Sequence, residues 1–163
     1  MRTFMRSTLA AVATTLAFTA PIAVVVGTAS AAPAPHLSIG SAISMPQEIT
    51  AATNARRAAY GMRSLAVDAA LTATAQGWSS AMATLGVLEH NPVYTATYRP
   101  GWTWSAENIY KGNSSRTAAS IVDSWMNSPE HRANILNPRL THIGVGYATG
   151  PAGTYSTQNF AAY

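Results

Sequence analysis

Three side chains in this sequence could together carry chemistry: His90, Glu107 and His131. Two imidazoles and a carboxylate can hold a divalent ion such as zinc and leave an open position for a ligand or an activated water. The three residues are 17 and 24 positions apart. No contiguous His-Glu-x-x-His motif or cysteine cluster joins them, so any site they form must be assembled by the fold.

The strongest local signal belongs to His131, in the stretch SPEHRANIL at residues 128–136. Ser128 as N-cap and Pro129 at the first helical position predict a helix start. His131 then lies in the first turn, where the helix dipole disfavours the imidazolium and leaves the neutral form, which can ligate a metal or act as a base. The alternative is a surface or capping histidine.

The local signals at Glu107 and His90 are weaker. Glu107 lies in SAENIY, where strand and turn preferences compete, and it could instead cap a helix together with Ser105. His90 lies in LEHNP, directly after a predicted helix, and could be an ordinary polar loop residue. Nothing in either stretch decides between these alternatives.

Two helices are predicted before the candidate residues. Ser44 and Gln47 form a capping box for the first, which runs to Tyr60 and ends at Gly61. The second begins at its cap, Asp68, and ends at Gly86. Its predicted apolar stripe consists of Leu71, Ala75, Trp78, Met82 and Leu85.

A long irregular loop is predicted from residue 87 to residue 113, with His90 near its start and Glu107 near its end. Such loops inside compact domains are uncommon and tend to be functional. Four aromatic residues in the loop could line a ligand groove, or could pack the loop onto the core. They are Tyr94, Tyr98, Trp102 and Trp104.

The rest of the chain predicts two short helices and a hairpin. Ser114 or Ser115 caps a third helix, and Pro138 ends the fourth. The buried face of the third helix is predicted to contain Ala118, Ile121, Val122 and Trp125. The alternating runs THIGVGYA and TYSTQNFAA, joined by the turn TGPAG, predict an antiparallel hairpin. Helices followed by a hairpin predict an α+β layered domain, with Trp78 and Trp125 both buried.

The N-terminal region predicts secretion. Arg2 and Arg6 precede a long uncharged run that ends in Ala-Ser-Ala at residues 29–31, as in a cleaved signal peptide. Pro21 and Gly27 interrupt the run, which disfavours the alternative of a transmembrane anchor. We therefore expect a signal peptide at residues 1–31, a flexible leader at 32–43 and one domain at 44–163. Contact with the membrane is expected only before cleavage.

Composition limits the possible partners and the source of stability. The chain has no cysteine, so a secreted domain of this size must be stabilised by its core and not by disulfides. Without Arg2 and Arg6, eight basic side chains remain against six acidic ones, with no basic run. Such a small excess does not indicate nucleic-acid binding. We expect a monomer.

Six segments, in this order, resemble one known family: TNARRAAYG, LEHN, AENIYKG, SWMNSPEHRANIL, THIGVGYA and YSTQNF. The chain is similar, from Gln47 to Phe160, to the bacterial, cysteine-free branch of the CAP superfamily, also called the SCP domain. The name combines cysteine-rich secretory proteins, antigen 5 and pathogenesis-related 1 proteins. The resemblance implies a three-layer α-β-α sandwich with a central antiparallel sheet, and an extracellular location.

The resemblance also implies a central cleft with two histidines and two glutamates. His90, Glu107 and His131 match three of these positions, and Ser128 occupies the position of the second glutamate. Glu130 could reach the cleft instead, but the resemblance does not assign it there. The departure puts in doubt any mechanism that needs two carboxylates.

Two main functions follow from these residues. The first is a module that binds a small apolar ligand or a cell-envelope component in a cleft lined by His90, Glu107, Ser128 and His131, with a divalent metal such as zinc on the two histidines. The second is a metal-assisted extracellular hydrolase with Glu107 as its catalytic candidate. A purely structural envelope protein would differ from the first only in lacking a ligand. A serine hydrolase is disfavoured because the sequence has no Gly-x-Ser-x-Gly elbow.

Overall fold

A computed structural model describes residues 43–163 of the chain. The predicted signal peptide, and the predicted leader apart from Ile43, lie outside the described residues. The helices are α1 (Met45–Ala59), α2 (Ala69–Leu85), α3 (Ala118–Met126) and α4 (Pro129–Ile135). The strands are β1 (Ala66–Val67), β2 (Trp104–Gly112), β3 (His142–Gly150) and β4 (Gly153–Ala162).

The strands form one mixed sheet in the order β1-β3-β4-β2. The predicted hairpin is confirmed as β3 and β4, and the three long strands are antiparallel. The short strand β1 pairs parallel to β3, so the predicted antiparallel sheet is extended by a parallel edge. Helix α2 covers one face, and α1 and α3 cover the other, which gives the predicted α-β-α sandwich.

Part of the predicted long loop is wrong, because its residues 104–112 form the edge strand β2. Ala106 and Tyr110 point to the face covered by α1 and α3, whereas Ile109 packs on the α2 side. The polar pair Glu107 and Asn108 interrupts this alternation in the sequence and hides the strand. Pairing with β4 along its whole length supplies the backbone hydrogen bonds that a loop would lack.

The predicted helix boundaries are confirmed for α1 and α2. The Ser44 N–H donates to Gln47 Oε1 at 2.8 Å, and the carboxylate of Asp68 accepts from the first backbone amides of α2. The predicted cap of α3 is wrong. Ser114 and Ser115 lie in a turn, and Thr117 is the cap, with its hydroxyl accepting from the Ser120 N–H at 3.2 Å.

Helix α2 lies directly on β3 because three positions of that strand have no side chain. A β-carbon on Gly144 would lie 2.1 Å from the Leu71 carbonyl carbon, and one on Gly146 would lie 2.2 Å from the Ala75 oxygen. Gly150 makes an equally close approach to Ala83. Because the backbone of α2 lies so close to β3, only a narrow strip of the helix surface can face the strand.

The predicted stripe of α2 is therefore correct only in part. Leu71, Ala75 and Met82 are buried as predicted, together with Ser79. Leu85 is 71% exposed, and Trp78 is only half-buried, with its indole N–H donating to the Glu89 carbonyl at 2.8 Å. A large indole does not fit in the close helix–strand contact and lies at its side.

The other face of the sheet carries the main apolar core. The predicted face of α3 is confirmed: Ala118, Ile121, Val122 and Trp125 are all buried. The Trp125 indole N–H donates to the Ile109 carbonyl at 2.8 Å, and its ring meets Tyr110 edge-on. Across residues 43–163, none of the helices combines the length and apolar character that crossing a membrane requires.

Candidate functional site

His90 and Glu107 are in direct contact, with 2.8 Å between His90 Nδ1 and Glu107 Oε1. The two side chains differ greatly in exposure: His90 is 61% exposed and Glu107 only 3%. Because Nδ1 is engaged by the carboxylate, Nε2 is the ring nitrogen left for a ligand or metal. The loop after α2 thus places an imidazole above a buried carboxylate at the edge strand β2.

The environment of Glu107 disfavours its charge. Burial is the largest influence and raises the pKa of the carboxyl, while the hydrogen bonds from the Asn91 N–H and from His90 act in the opposite direction. The Asn91 N–H donates to Oε1 at 2.9 Å, so that one oxygen accepts both contacts. The other oxygen, Oε2, is buried and has no partner among the atoms of residues 43–163.

His131 lies in the first turn of α4, as predicted, and its ring is partly buried. Its pKa is lowered, first by burial and then by the charge of His90, whereas Glu130 raises it. The direction agrees with the predicted neutral imidazole, although burial contributes where the sequence suggested the helix dipole. The effect of His90 indicates that both rings belong to one region.

A chain of amides fixes the position of α4 against the sheet. Asn108 Nδ2 donates to the His131 carbonyl at 3.2 Å and to Gln158 Oε1 at 3.1 Å. Asn134 Nδ2 donates to Asn108 Oδ1 at 2.9 Å and, at 3.4 Å, to the Glu107 carbonyl on the outer edge of β2. Gln158 Nε2 donates in turn to Thr53 Oγ1 in α1 at 2.7 Å. The backbone of His131 is thereby tied to the edge strand that carries Glu107.

Ser128 is the N-cap residue of α4, but its side chain makes no capping hydrogen bond. Its hydroxyl instead donates to Glu130 Oε2 at 3.3 Å, and Glu130 is exposed. Among the hydrogen bonds of residues 43–163, none joins Ser128 to His90, Glu107 or His131. Its predicted place in the cleft therefore stays a prediction.

The four predicted aromatic residues divide into two pairs. Tyr98 is buried against Leu71 and Ala161, and Tyr94 packs against the same cluster and contacts the Ser105 hydroxyl at 3.1 Å. Trp102 and Trp104 remain exposed. Two of the four thus pack the loop onto the core, and two are accessible.

An apolar groove runs beside the site, between the outer side of α2 and the loop after it. It has a volume of about 480 Å³ and is lined by Ala73, Gly77, Trp78, Asn91, Val93 and Ala96, among others. Asn91 belongs to both places, because its backbone N–H contacts the Glu107 carboxylate while the residue lines the groove. The polar pair and the groove are therefore neighbours.

His90 and His131 are the candidate metal ligands. Across the part of the chain that the structure describes, His, Cys, Asp and Glu side chains form no group of three or more that could hold a metal ion. His142 lies on β3, two strands from β2, and its Nδ1 contacts the Thr141 hydroxyl at 2.8 Å.

The sequence reasoning missed the asparagines that surround these residues. Asn91, Asn108 and Asn134 hold the site together, and Asn159 is paired with Glu107 in the β2–β4 register. Strand alternation would have found Asn108 and Asn159, had residues 104–112 been identified as a strand that pairs with QNF. The other two depend on tertiary contacts.

The family model described as the cysteine-rich secretory protein family, CAP, matches residues 50–160. The uncharacterized protein YkwD of Bacillus subtilis (strain 168) is 35% identical over 147 residues, which cover 82% of this chain and 56% of that protein. This chain therefore spans only a little over half the length of that relative.

Two solved structures are also similar. An extracellular protein containing a SCP domain from Bacillus anthracis is 27% identical, with a TM-score of 0.60 over 72% of this chain and 40% of that one. An outer surface protein from Borrelia burgdorferi, 16% identical, has a TM-score of 0.62 over 70% of this chain and 89% of that one, and it supports the fold alone.

Proposed function

Because the chain belongs to the cysteine-rich secretory protein (CAP) family, we propose that it is an extracellular binding module. Its cleft, formed by His90, Glu107 and His131, takes a small apolar ligand or a cell-envelope component. Its relative of known structure from Bacillus anthracis is described as an extracellular protein, which supports the location. The predicted signal peptide would supply the export.

The observation that carries the proposal is the exposed imidazole of His90 held by the buried carboxylate of Glu107 at 2.8 Å. A ligand-binding site typically combines a few fixed polar groups with an apolar wall. The pair supplies the fixed polar group, because Glu107 sets the orientation of the His90 ring. The groove beside Asn91 supplies the apolar wall.

The groove favours an apolar partner of modest size. Its volume of about 480 Å³ lies within the range of small-molecule sites, roughly 300–1,000 Å³. Most of its lining residues on α2 are small, Ala73 and Gly77 among them, and leave room for a ligand beside the Trp78 indole, which also lines the groove. A ligand with a polar end near His90 and an apolar body along α2 would contact both features.

We infer that a divalent ion would bind at the polar end through two imidazoles. His90, by Nε2, and His131, whose pKa is lowered by burial, would hold it, and Glu107 would orient the His90 ring. When bound, such an ion supplies a Lewis-acidic contact for a polar ligand group. A catalytic zinc usually has three protein ligands, which is why we propose binding and not the alternative of hydrolysis.

Binding to the groove can be tested with a neutral apolar fluorophore, N-phenyl-1-naphthylamine. A β-carbon on Gly77 would meet no atom within 4 Å, so Gly77→Leu should fill the groove while keeping α2 intact. We expect the unsubstituted protein to bind the fluorophore saturably and Gly77→Leu to weaken binding at least about tenfold, which corresponds to about 1.4 kcal/mol.

The matched control is Ala69→Leu, an exposed position in the first turn of α2 outside the groove-lining residues. It should bind the fluorophore as the unsubstituted protein does. Equal affinity in all three proteins, or no saturable binding in any, would contradict the proposal. Circular dichroism of each variant verifies that the helix content is retained.

A further inference from the structure

Behind the cleft, on the face covered by α2, buried polar atoms stand without partners. Glu107 Oε2 and both ends of the Asn159 side-chain amide have no hydrogen-bond partner among the atoms of residues 43–163. Asn159 is fully buried and Glu107 is nearly so. Buried polar groups are satisfied in the great majority of cases, so three such atoms in one place indicate a binding site for something small.

The register brings these atoms together. Glu107 on β2 lies directly opposite Asn159 on the central strand β4, so their side chains rise on the same face from neighbouring backbones. The carboxylate is drawn towards the sheet edge, because Oε1 contacts His90 and the Asn91 N–H. Oε2 is left without a partner beside the unpartnered amide of Asn159, its neighbour across the two strands.

The packing around Glu107 and Asn159 buries both residues. On the other side of Asn159 the opposite residue is Gly144, against which the backbone of α2 packs. Tyr98 packs on Ala161, two residues along the same face of β4, and its hydroxyl is also buried and unpartnered within the described residues. A ligand from the cleft could not enter without opening this packing.

We propose that Glu107 and Asn159 hold a buried water molecule, and that Asn159 thereby positions Glu107 for the cleft. The hydrogen-bond inventory matches: water would donate to Glu107 Oε2 and Asn159 Oδ1 and accept from Asn159 Nδ2. Internal waters typically make about three such bonds to groups that are otherwise unsatisfied. A calcium ion is a poorer match, because it requires about six to eight oxygen ligands.

With the water in place, hydrogen bonds hold both carboxylate oxygens of Glu107. Oε1 accepts from His90 and Asn91, and Oε2 accepts from the water, so the carboxylate cannot rotate about its last bond without losing contacts on both sides. The orientation of the His90 ring follows from that of the carboxylate. Asn159 is a positioning residue, and the inference does not depend on which ligand or metal the cleft binds.

The test uses water oxygen-17 magnetic relaxation dispersion on the folded full chain. Asn159→Leu keeps most of the side-chain volume and removes both amide atoms. We expect the unsubstituted protein to show a slowly exchanging internal water and Asn159→Leu to lose it. The His90 imidazole nitrogen chemical shifts should change as well, because Glu107 is no longer held from behind, and the melting temperature should fall.

Thr157→Val is the matched control. Thr157 lies on the same strand and face and is equally buried, but its hydroxyl has a direct protein partner, Ser79, at 3.0 Å. It should keep the slow water and the His90 shifts. A higher melting temperature for Asn159→Leu with unchanged relaxation would show that the amide was dry and unpaired, which overturns the proposal.

If Asn159→Leu does not fold, a high-resolution crystal structure of the unsubstituted protein decides. Density for a water within hydrogen-bond distance of Glu107 Oε2 and the Asn159 amide supports the proposal. A direct hydrogen bond between Oε2 and Nδ2, with no water between them, refutes it. Failure of fluorophore or zinc binding would leave either result unaffected.

Discussion

Gln158 and Asn159 are adjacent, fully buried amides on the central strand, yet they have opposite hydrogen-bonding environments. Gln158 points towards α1 and α3 and is partnered at both ends, by Thr53 and Asn108. Asn159 points towards α2, and neither end of its amide has a partner among residues 43–163. One residue of strand alternation separates the two environments.

The two faces of the sheet position different residues of the candidate cleft. On the α1/α3 face, a satisfied amide network and a large apolar core fix α4, and with it His131. On the α2 face, one oxygen of the buried Glu107 carboxylate contacts the His90 ring. The other oxygen has no partner among residues 43–163. The proposed cleft would lie at the edge strand β2, which carries Glu107 and to whose Asn108 the backbone of His131 is hydrogen-bonded. The α1/α3 face thus fixes the backbone of α4, whereas the α2 face holds buried polar atoms that have no partner among residues 43–163.

The largest expected effect tests the apolar contribution of the two faces. Trp125→Ala on the α1/α3 face should lower the free energy of unfolding by roughly 3–5 kcal/mol, because a fully buried indole leaves a cavity. Trp78→Ala beside the α2 face should cost only about 1–2 kcal/mol, because that ring is half-buried. Urea denaturation measures both. Equal losses would remove the distinction between the faces.

An intermediate effect is expected from the amide network. Gln158→Leu should lower the free energy of unfolding by roughly 1–3 kcal/mol, because Asn108 and Thr53 each lose a buried partner. Asn108 also holds the His131 carbonyl, so the His131 imidazole shifts should change in the nuclear magnetic resonance spectrum.

Asn159→Leu is the matched comparison for that experiment, since it alters the next residue on the opposite face. It should change the imidazole chemical shifts of His90 and leave those of His131 unchanged, whereas Gln158→Leu should do the reverse. If either variant changed the imidazole chemical shifts of both histidines equally, the two faces would not act separately on the cleft.

The smallest effect on stability, and the most direct on function, is expected where the faces meet. His131→Ala should abolish zinc binding, measured by calorimetric titration with zinc chloride, while the fold persists on the Ile135 contact with the core. In the unsubstituted protein, binding should weaken as the pH falls, because protons and metal compete for the same nitrogens. Burial lowers the pKa of His131, so proton competition at that ring begins at a lower pH than it would at an exposed imidazole.

His142→Ala is the internal control for the zinc experiment. His142 lies at the start of β3 and is separated from β2 by the central strand β4. Its replacement should leave zinc affinity and its pH dependence unchanged. Zinc binding that survives His131→Ala, or that is lost with His142→Ala, would place the metal somewhere other than the proposed cleft.

The sequence by itself determined the helices, the hairpin and the identity of the three candidate residues. Helix caps and strand alternation depend on residues that are close together in the chain, so both can be recognised from the sequence alone. Examples are the caps Asp68 and Gly86 and the alternation in residues 141–162. The six family segments placed His90, Glu107 and His131 in order. The burial of Trp125 was predictable for the same reason, because a helical period marks its face.

Only the tertiary structure decided which of these groups meet, and how. The edge strand β2 was hidden because Glu107 and Asn108 interrupt its apolar alternation, and its stability comes from pairing with β4, far away in the chain. Trp78 was misplaced because the close contact of α2 with Gly144 and Gly146 depends on the backbone of another element. Local sequence encodes which face a residue prefers, whereas burial, partners and pKa shifts are set by what the fold brings to that face.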